Sequence, residues 1–215
     1  MTFRAQGGTP YFWGSGTWAQ VSAVNPGTSG VLANVTDVGA DGTTVRWNGS
    51  RWKPVGGVAN LKSFGPAVSG ITNATETIVL QTLIPAGLLQ ANDAIRVWLY
   101  PTKSGSTDAA SGRFRMGTAG TIADTQILSG NWLGATGITG GFVWDAKIVS
   151  NTSVLRTGNN NSTSSPIAGS GTSAIVAAVS ITDVSTNPMY FSVTLVSGGA
   201  TDTVACQNGY IQWVA

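Results

Sequence analysis

The chain has 215 residues, enough for one large β domain or for a small domain plus a medium one, and only 9% are charged, against about a quarter in an average soluble protein. The net charge is +2 with no Lys/Arg run, which leaves phosphate-backbone binding without support, while 29 glycines and many Ser, Thr and Asn give a polar, uncharged surface suited to extracellular particles and protein contacts. With no histidine and one cysteine, Cys206, the sequence excludes Ser-His-Asp and Cys-His relays, histidine zinc sites, thiolate metal clusters and an intrachain disulfide.

The opening MTFRAQGGTPYFW lacks a basic region followed by an apolar core, so no signal peptide is expected, and no apolar run approaches the roughly 20 residues of a membrane helix. Residues 1–60 read as a turn-rich module. Trp13 and Trp18 bracket GSGT, and Trp47 and Trp52 bracket NGSR. Asn48-Gly49 predicts a hairpin from a strand ending near Trp47 to one starting near Arg51, and Asp41-Gly42 predicts a second turn. The spacing in TDVGADG lacks the acidic ladder and closing glutamate of a calcium loop, so a plain turn explains it. The four tryptophans admit two readings: the miniature core of the module, or anchoring residues that dock on another protein or stack on sugars.

The run Val35–Gly57, VTDVGADGTTVRWNGSRWKPVGG, resembles a segment of tailed-phage virion proteins, tail-fibre and adhesin components above all. There a valine-threonine-aspartate stretch precedes a W-x-G-x-x-W-x-P-V hairpin, matched here by Trp47, Gly49, Trp52, Pro54 and Val55. The IPAGLL corner followed by Asn92-Asp93 is similar to the opening of compact jelly-roll domains in phage fibre tips and head-fibre proteins. The resemblance implies a protein made in a bacterial host's cytoplasm and assembled on the exterior of a virion, with other virion proteins as partners and a homotrimer as its form.

Residues 61–76 read as a junction, marked by Gly65-Pro66 and Gly70. From Thr77 strand signals recur at short intervals to the end of the chain, and helix is expected only as a turn near Leu88–Ala91. Pro85 cannot donate to a ladder, so the strand from Ile78 should stop at Ile84. After the corner, Ile95, Val97 and Leu99 point to one face and Arg96, Trp98 and Tyr100 to the other. The second face would expose two large rings, so it is expected to be covered by the second sheet or by a neighbouring subunit. Further strands are expected at Arg113–Gly117, Asp124–Leu128, Phe142–Val149, SVLRTG, AIVAAVSI, MYFSVTLV and GYIQWVA. The fold class is therefore all-β: an N-terminal hairpin module over 1–60 and an antiparallel jelly-roll or β-sandwich over 77–215.

Two long polar loops, 102–112 and 157–173, interrupt the strands. The second supplies the candidate receptor-contact residues Asn159, Asn160, Asn161 and Ser162, whose amides and hydroxyl can hydrogen-bond a bacterial surface glycan or a protein receptor; it reads equally as a solvated spacer. Glu76 is the single glutamate and the aspartates fall at turns and strand starts, so no acid pair forms a glycosidase motif. The sequence predicts no enzyme, no cofactor, no metal site, no nucleic acid partner and no membrane insertion. Three roles fit: a tail-fibre or baseplate receptor-binding protein, a capsid decoration or head-fibre protein, and a free carbohydrate-binding module.

Overall fold

The computed structural model describes residues 14–63, 65, 67–72, 75–105, 108, 110–133, 138–139, 142–159 and 178–215. The chain begins with β1 (Ser15–Gly16) and a five-residue helix, α1 (Trp18–Ser22). Helix was expected only near Leu88–Ala91, which is instead a turn and coil. The reason lies in Thr17: its hydroxyl accepts from the Gln20 N–H, and the Gln20 side chain accepts from the Thr17 N–H, a capping box that closes a single turn too short to show helical periodicity.

Next come β2 (Leu32–Val35), β3 (Thr43–Trp47) and β4 (Trp52–Pro54), which with β1 form a sheet of order β1-β2-β3-β4. Trp47 and Trp52 are cross-strand partners, as the Asn-Gly signal requires. The turn uses one residue of positive φ, Gly49 at 104°, and the Asn48 side chain accepts from the Ser50 and Arg51 N–H groups instead of following a two-residue turn.

Beyond a 3-10 turn at Val55–Gly57 lie β5 (Val58–Ser63), β6 (Val68–Ile71), β7 (Thr77–Ile84), β8 (Ala94–Ser104), β9 (Ala110–Gly117) and β10 (Thr125–Leu133). They are followed by β11 (Ile138–Thr139), β12 (Phe142–Ser150), β13 (Ser153–Asn159), β14 (Val179–Ser180), β15 (Met189–Val196) and β16 (Thr203–Val214). β7 stops before Pro85, as its missing N–H dictates. One sheet runs β10-β9-β15-β7 and the other β14-β13-β12-β8-β16-β5, with β11 added to β8 and β6 to β16. All pairings in these two sheets are antiparallel among the described residues.

The result is a β-sandwich. Phe114 on β9 meets Trp144 on β12 edge to face at 5.1 Å, and inward rows such as Met189, Phe191, Val193 and Leu195 are buried to 1% exposure or less. Of the stretch 61–76 read as a junction, β6 lies inside it and β5 straddles its start. β5 begins at Val58 and pairs with β16, as does β6, so residues 58–71 are largely sheet. The hydrophobic core is likewise continuous from Trp18, Val45 and Trp47 to Leu99, Phe191 and Trp213.

Candidate functional site

The N-terminal module meets the sandwich at Asp93. The Gln90–Asp93 turn is fixed by the Asp93 N–H donating to the Gln90 carbonyl and the Gln90 N–H donating to the Asp93 carboxylate, with Asn92 at positive φ, 76°. The carboxylate is fully buried and also accepts from the Trp213 indole at 3.2 Å and from both terminal nitrogens of Arg51, one at 2.9 Å. Trp18 stands edge-on to Trp213, their centroids 6.0 Å apart. Every donor thus converges on one charge, the arrangement that makes a buried carboxylate tolerable. A cleft of about 510 Å³ opens beside this clamp, lined by Arg51, Lys53, Gln90, Asn92, Asn151 and Ser185 among others. Its amides, hydroxyl and cations suit a polar ligand or the polar rim of a protein partner.

The tryptophans offered as anchoring residues are interior. Trp18, Trp47 and Trp52 are 3%, 7% and 3% exposed; Trp47 and Trp52 pack edge to face at 5.6 Å, and the Trp52 indole donates to the Val24 carbonyl. They form the module's core, and Trp13 lies outside the described residues. Of the motif's residues, Gly49 at the turn and Val55 at its end are exposed; Val55 is the apolar one, 47% exposed, and Val58, three residues on, is 40% exposed.

On β8 the alternation holds: Ile95, Val97 and Leu99 are completely buried between the sheets, and Arg96, Trp98 and Tyr100 are half-buried on the opposite face. The Trp98 ring lies near-parallel to Tyr210 at 5.6 Å and to Tyr100 at 6.2 Å. Arg96 donates twice to Asp145 on β12, at 2.8 and 2.9 Å, and these hydrogen bonds raise its pKa despite partial burial. Val143, the neighbour of Trp98 on β12, is 38% exposed. The outer face thus offers an aromatic row, an ion pair and an apolar edge. Of the receptor-contact residues, Asn159 ends β13, and Asn160, Asn161 and Ser162 lie outside the described residues.

No protein-family model and no curated protein sequence matches the chain. Among solved structures, it is similar to the CBM2 module of the evolved Dit of Lactobacillus casei BL23 phage J-1, with 5% identity, a TM-score of 0.34 and coverage of 62% of this chain and 68% of that one. A second is the VP2 subviral particle of infectious bursal disease virus, with 9% identity and a TM-score of 0.37; the match covers 90% of this chain and 54% of that one, so the chain spans little more than half its length. A third is SCLam, a non-specific endo-β-1,3(4)-glucanase of family GH16, with 6% identity, a TM-score of 0.29 and coverage of 78% and 73%. Likenesses this low carry neither a site nor an activity to this chain.

Sequence reasoning missed the polar cluster on the outer face of the other sheet. Glu76 accepts from Arg115 at 2.6 and 2.9 Å, from Arg113, and from the Thr194 hydroxyl at 2.6 Å. Burial raises the Glu76 pKa, but the hydrogen bonds from Arg115 and Thr194 and the two guanidinium charges outweigh it and leave the carboxyl at about 2. Arg113 and Arg115 alternate on β9, a signal of an outward face, yet nothing in the sequence pairs them with Glu76. Cys206 is fully buried, and desolvation pushes its thiol up to about 11. Among the described residues no group of His, Cys, Asp and Glu could hold a metal ion.

Proposed function

We propose that this chain is a non-enzymatic structural protein of a tailed-phage particle, a tail-fibre or baseplate receptor-binding protein that attaches through its N-terminal module and displays the sandwich to the host surface. The observation that carries this reading is the form of the resembling hairpin. Its two tryptophans fold inward to make it rigid, Arg51 locks it to Asp93, and Val55 stays exposed beside Val58 as an apolar contact for a virion partner. A rigid joint suits a receptor binder, because an attachment made at one end then fixes the orientation of the displayed domain at the other.

In this reading the chain is a homotrimer whose subunit contact is the half-buried face of Arg96, Trp98 and Tyr100, and the Asn159–Ser162 region meets a bacterial surface glycan or protein. Deleting the coding region should leave capsids intact and abolish adsorption; normal plating would sink the reading. A copy number near that of the major capsid protein on purified virions would assign the protein to capsid decoration, and soluble protein with no virion association would assign it to a free carbohydrate-binding module. Val55→Asp should block incorporation into particles while the purified variant stays folded. Light scattering on the purified protein should give three times the chain mass, and Trp98→Ala should lower it.

A further inference from the structure

The inward row of β8 runs Ile95, Val97, Leu99, Pro101 and then Lys103, and all five are buried. A lysine on a core face needs a partner. Its ammonium lies 3.3 Å from Oδ2 of Asp202, immediately before β16, and both side chains are 0% exposed. Burying two opposite charges stabilises a fold poorly, since their desolvation cancels most of the attraction, and an apolar pair in their place often does better. The local backbone is nevertheless built around this contact. Gly105, at φ 110°, passes so close that a Cβ there would lie 2.7 Å from Asp202 Oδ1, and a Cβ at Gly199 would lie 2.6 Å from Asp108 Oδ2 and 3.6 Å from Asp202 Oδ2. Gly199 thus lies against two carboxylates, Asp108 and Asp202, and so brings Asp108 to the neighbourhood of the buried Lys103–Asp202 pair, while Gly105 passes against Asp202 itself.

We infer that Lys103 and Asp202 condense into an intramolecular isopeptide bond, with Asp108 as the proton-transfer group. Transfer of one proton from the ammonium to the Asp202 carboxylate gives a neutral amine and a neutral acid. Lys103 Nζ then attacks Asp202 Cγ; the Nζ–Cγ bond forms, one Cγ–O bond breaks, and the oxygen leaves as water with the acid's proton and one proton from nitrogen. The Asp108 carboxyl carries the second proton, as general base toward nitrogen and general acid toward the departing oxygen. No oxidant or cofactor enters the balance. The product amide removes both buried charges, and exclusion of water from the site protects it from hydrolysis. It also supplies the covalent staple that a chain with a single cysteine cannot make from disulfides, tying β8 to β16 across a loop from 103 to 202. None of this depends on a role in a phage particle.

The test is an intact mass of the full chain. The protein should be lighter than its sequence by one water, and trypsin, unable to cut at an amidated Lys103, should release residues 97–113 joined to residues 157–215. A full sequence mass with ordinary cleavage after Lys103 would overturn the proposal, and needs no variant to read. Lys103→Met should restore the full mass. Asp202→Asn should give the same cross-linked product as the wild type, now by loss of ammonia, an outcome that a merely ionic pair cannot produce. Asp108→Ala, at an exposed position, should fold and remain uncross-linked or cross-link at least tenfold more slowly, within the range of general acid-base effects; cross-linking at the wild-type rate would remove Asp108 from the mechanism.

Discussion

Arg51, in the turn between β3 and β4, donates through both terminal guanidinium nitrogens to Asp93, a fully buried carboxylate that immediately precedes β8. This pair joins the module to the sandwich, and its loss should be felt by both. Arg51→Ala leaves an uncompensated buried charge and should cost about 3–5 kcal/mol, and Asp93→Ala should cost a similar amount because the Arg51 and Trp213 donors also lose their acceptor. Urea denaturation of the two single variants and the double variant checks this. The double variant should cost clearly less than the sum of the singles.

Glu76 predicts an acid limit to stability. Its pKa falls from an ordinary 4.5 to about 2 on folding, so its contribution is fully present above pH 4.5 and is lost as pH drops from there to about 2. At neutral pH Glu76→Gln should cost about 1.5–3 kcal/mol, the worth of hydrogen bonds to a charged group. The gap between wild type and variant, measured by urea titration at each pH, should shrink steadily across that window. A gap that stays constant would show that the cluster does not hold the carboxyl down.

The two hairpin tryptophans should respond differently to the same truncation. The Trp52 indole donates to the Val24 carbonyl at 3.0 Å, whereas the Trp47 N–H has no acceptor among the described residues. Both changes to Phe remove equal volume from buried sites. Trp52→Phe should therefore be more destabilising than Trp47→Phe by about 1 kcal/mol, a difference of roughly 2–4 °C in Tm.

Cys206 should be silent to thiol reagents in the folded protein. It has no exposure, and a thiol raised to about 11 carries almost no thiolate at neutral pH. A colorimetric disulfide reagent should label it only after denaturant unfolds β16. Labelling at native conditions at the rate of a free cysteine would mean that the strand opens locally.

The sandwich was legible because its strands carry a two-residue period that burial imposes: Ile95, Val97 and Leu99 against Arg96, Trp98 and Tyr100, and the stop at Pro85. The hairpin at Asn48-Gly49 was legible for the same local reason. Helix α1 was signalled by the T-x-x-Q capping box at Thr17 and Gln20, but five residues are too few for a period to emerge. The polar clusters were not readable. Arg51 with Asp93, Glu76 with Arg113 and Arg115, and Lys103 with Asp202 each join distant stretches of chain, and a single sequence says which residues are charged but not which strands become neighbours. Lys103 carried one unused hint, its place on the inward parity of β8.

The pairing of β5 with β16 sets the order of events at birth. Val58 finds its partner in Val214, and Trp18 packs on Trp213, so a module made before β7 and β8 docks on a strand made after them. A ribosome that has delivered the module, β7 and β8 still holds back the strand that closes the large sheet. Until β16 emerges, β5 and β6 present open edges and the Trp18 ring lacks its seat, so the nascent chain passes through a long interval in which edge protection depends on chaperones or on delay. Contacts of such sequence separation also place the chain among slow folders. Removing Trp213 and Val214 would therefore do more than shorten one strand: it would take from Trp18 its ring partner, from Val58 its ladder partner and from Asp93 one of its donors.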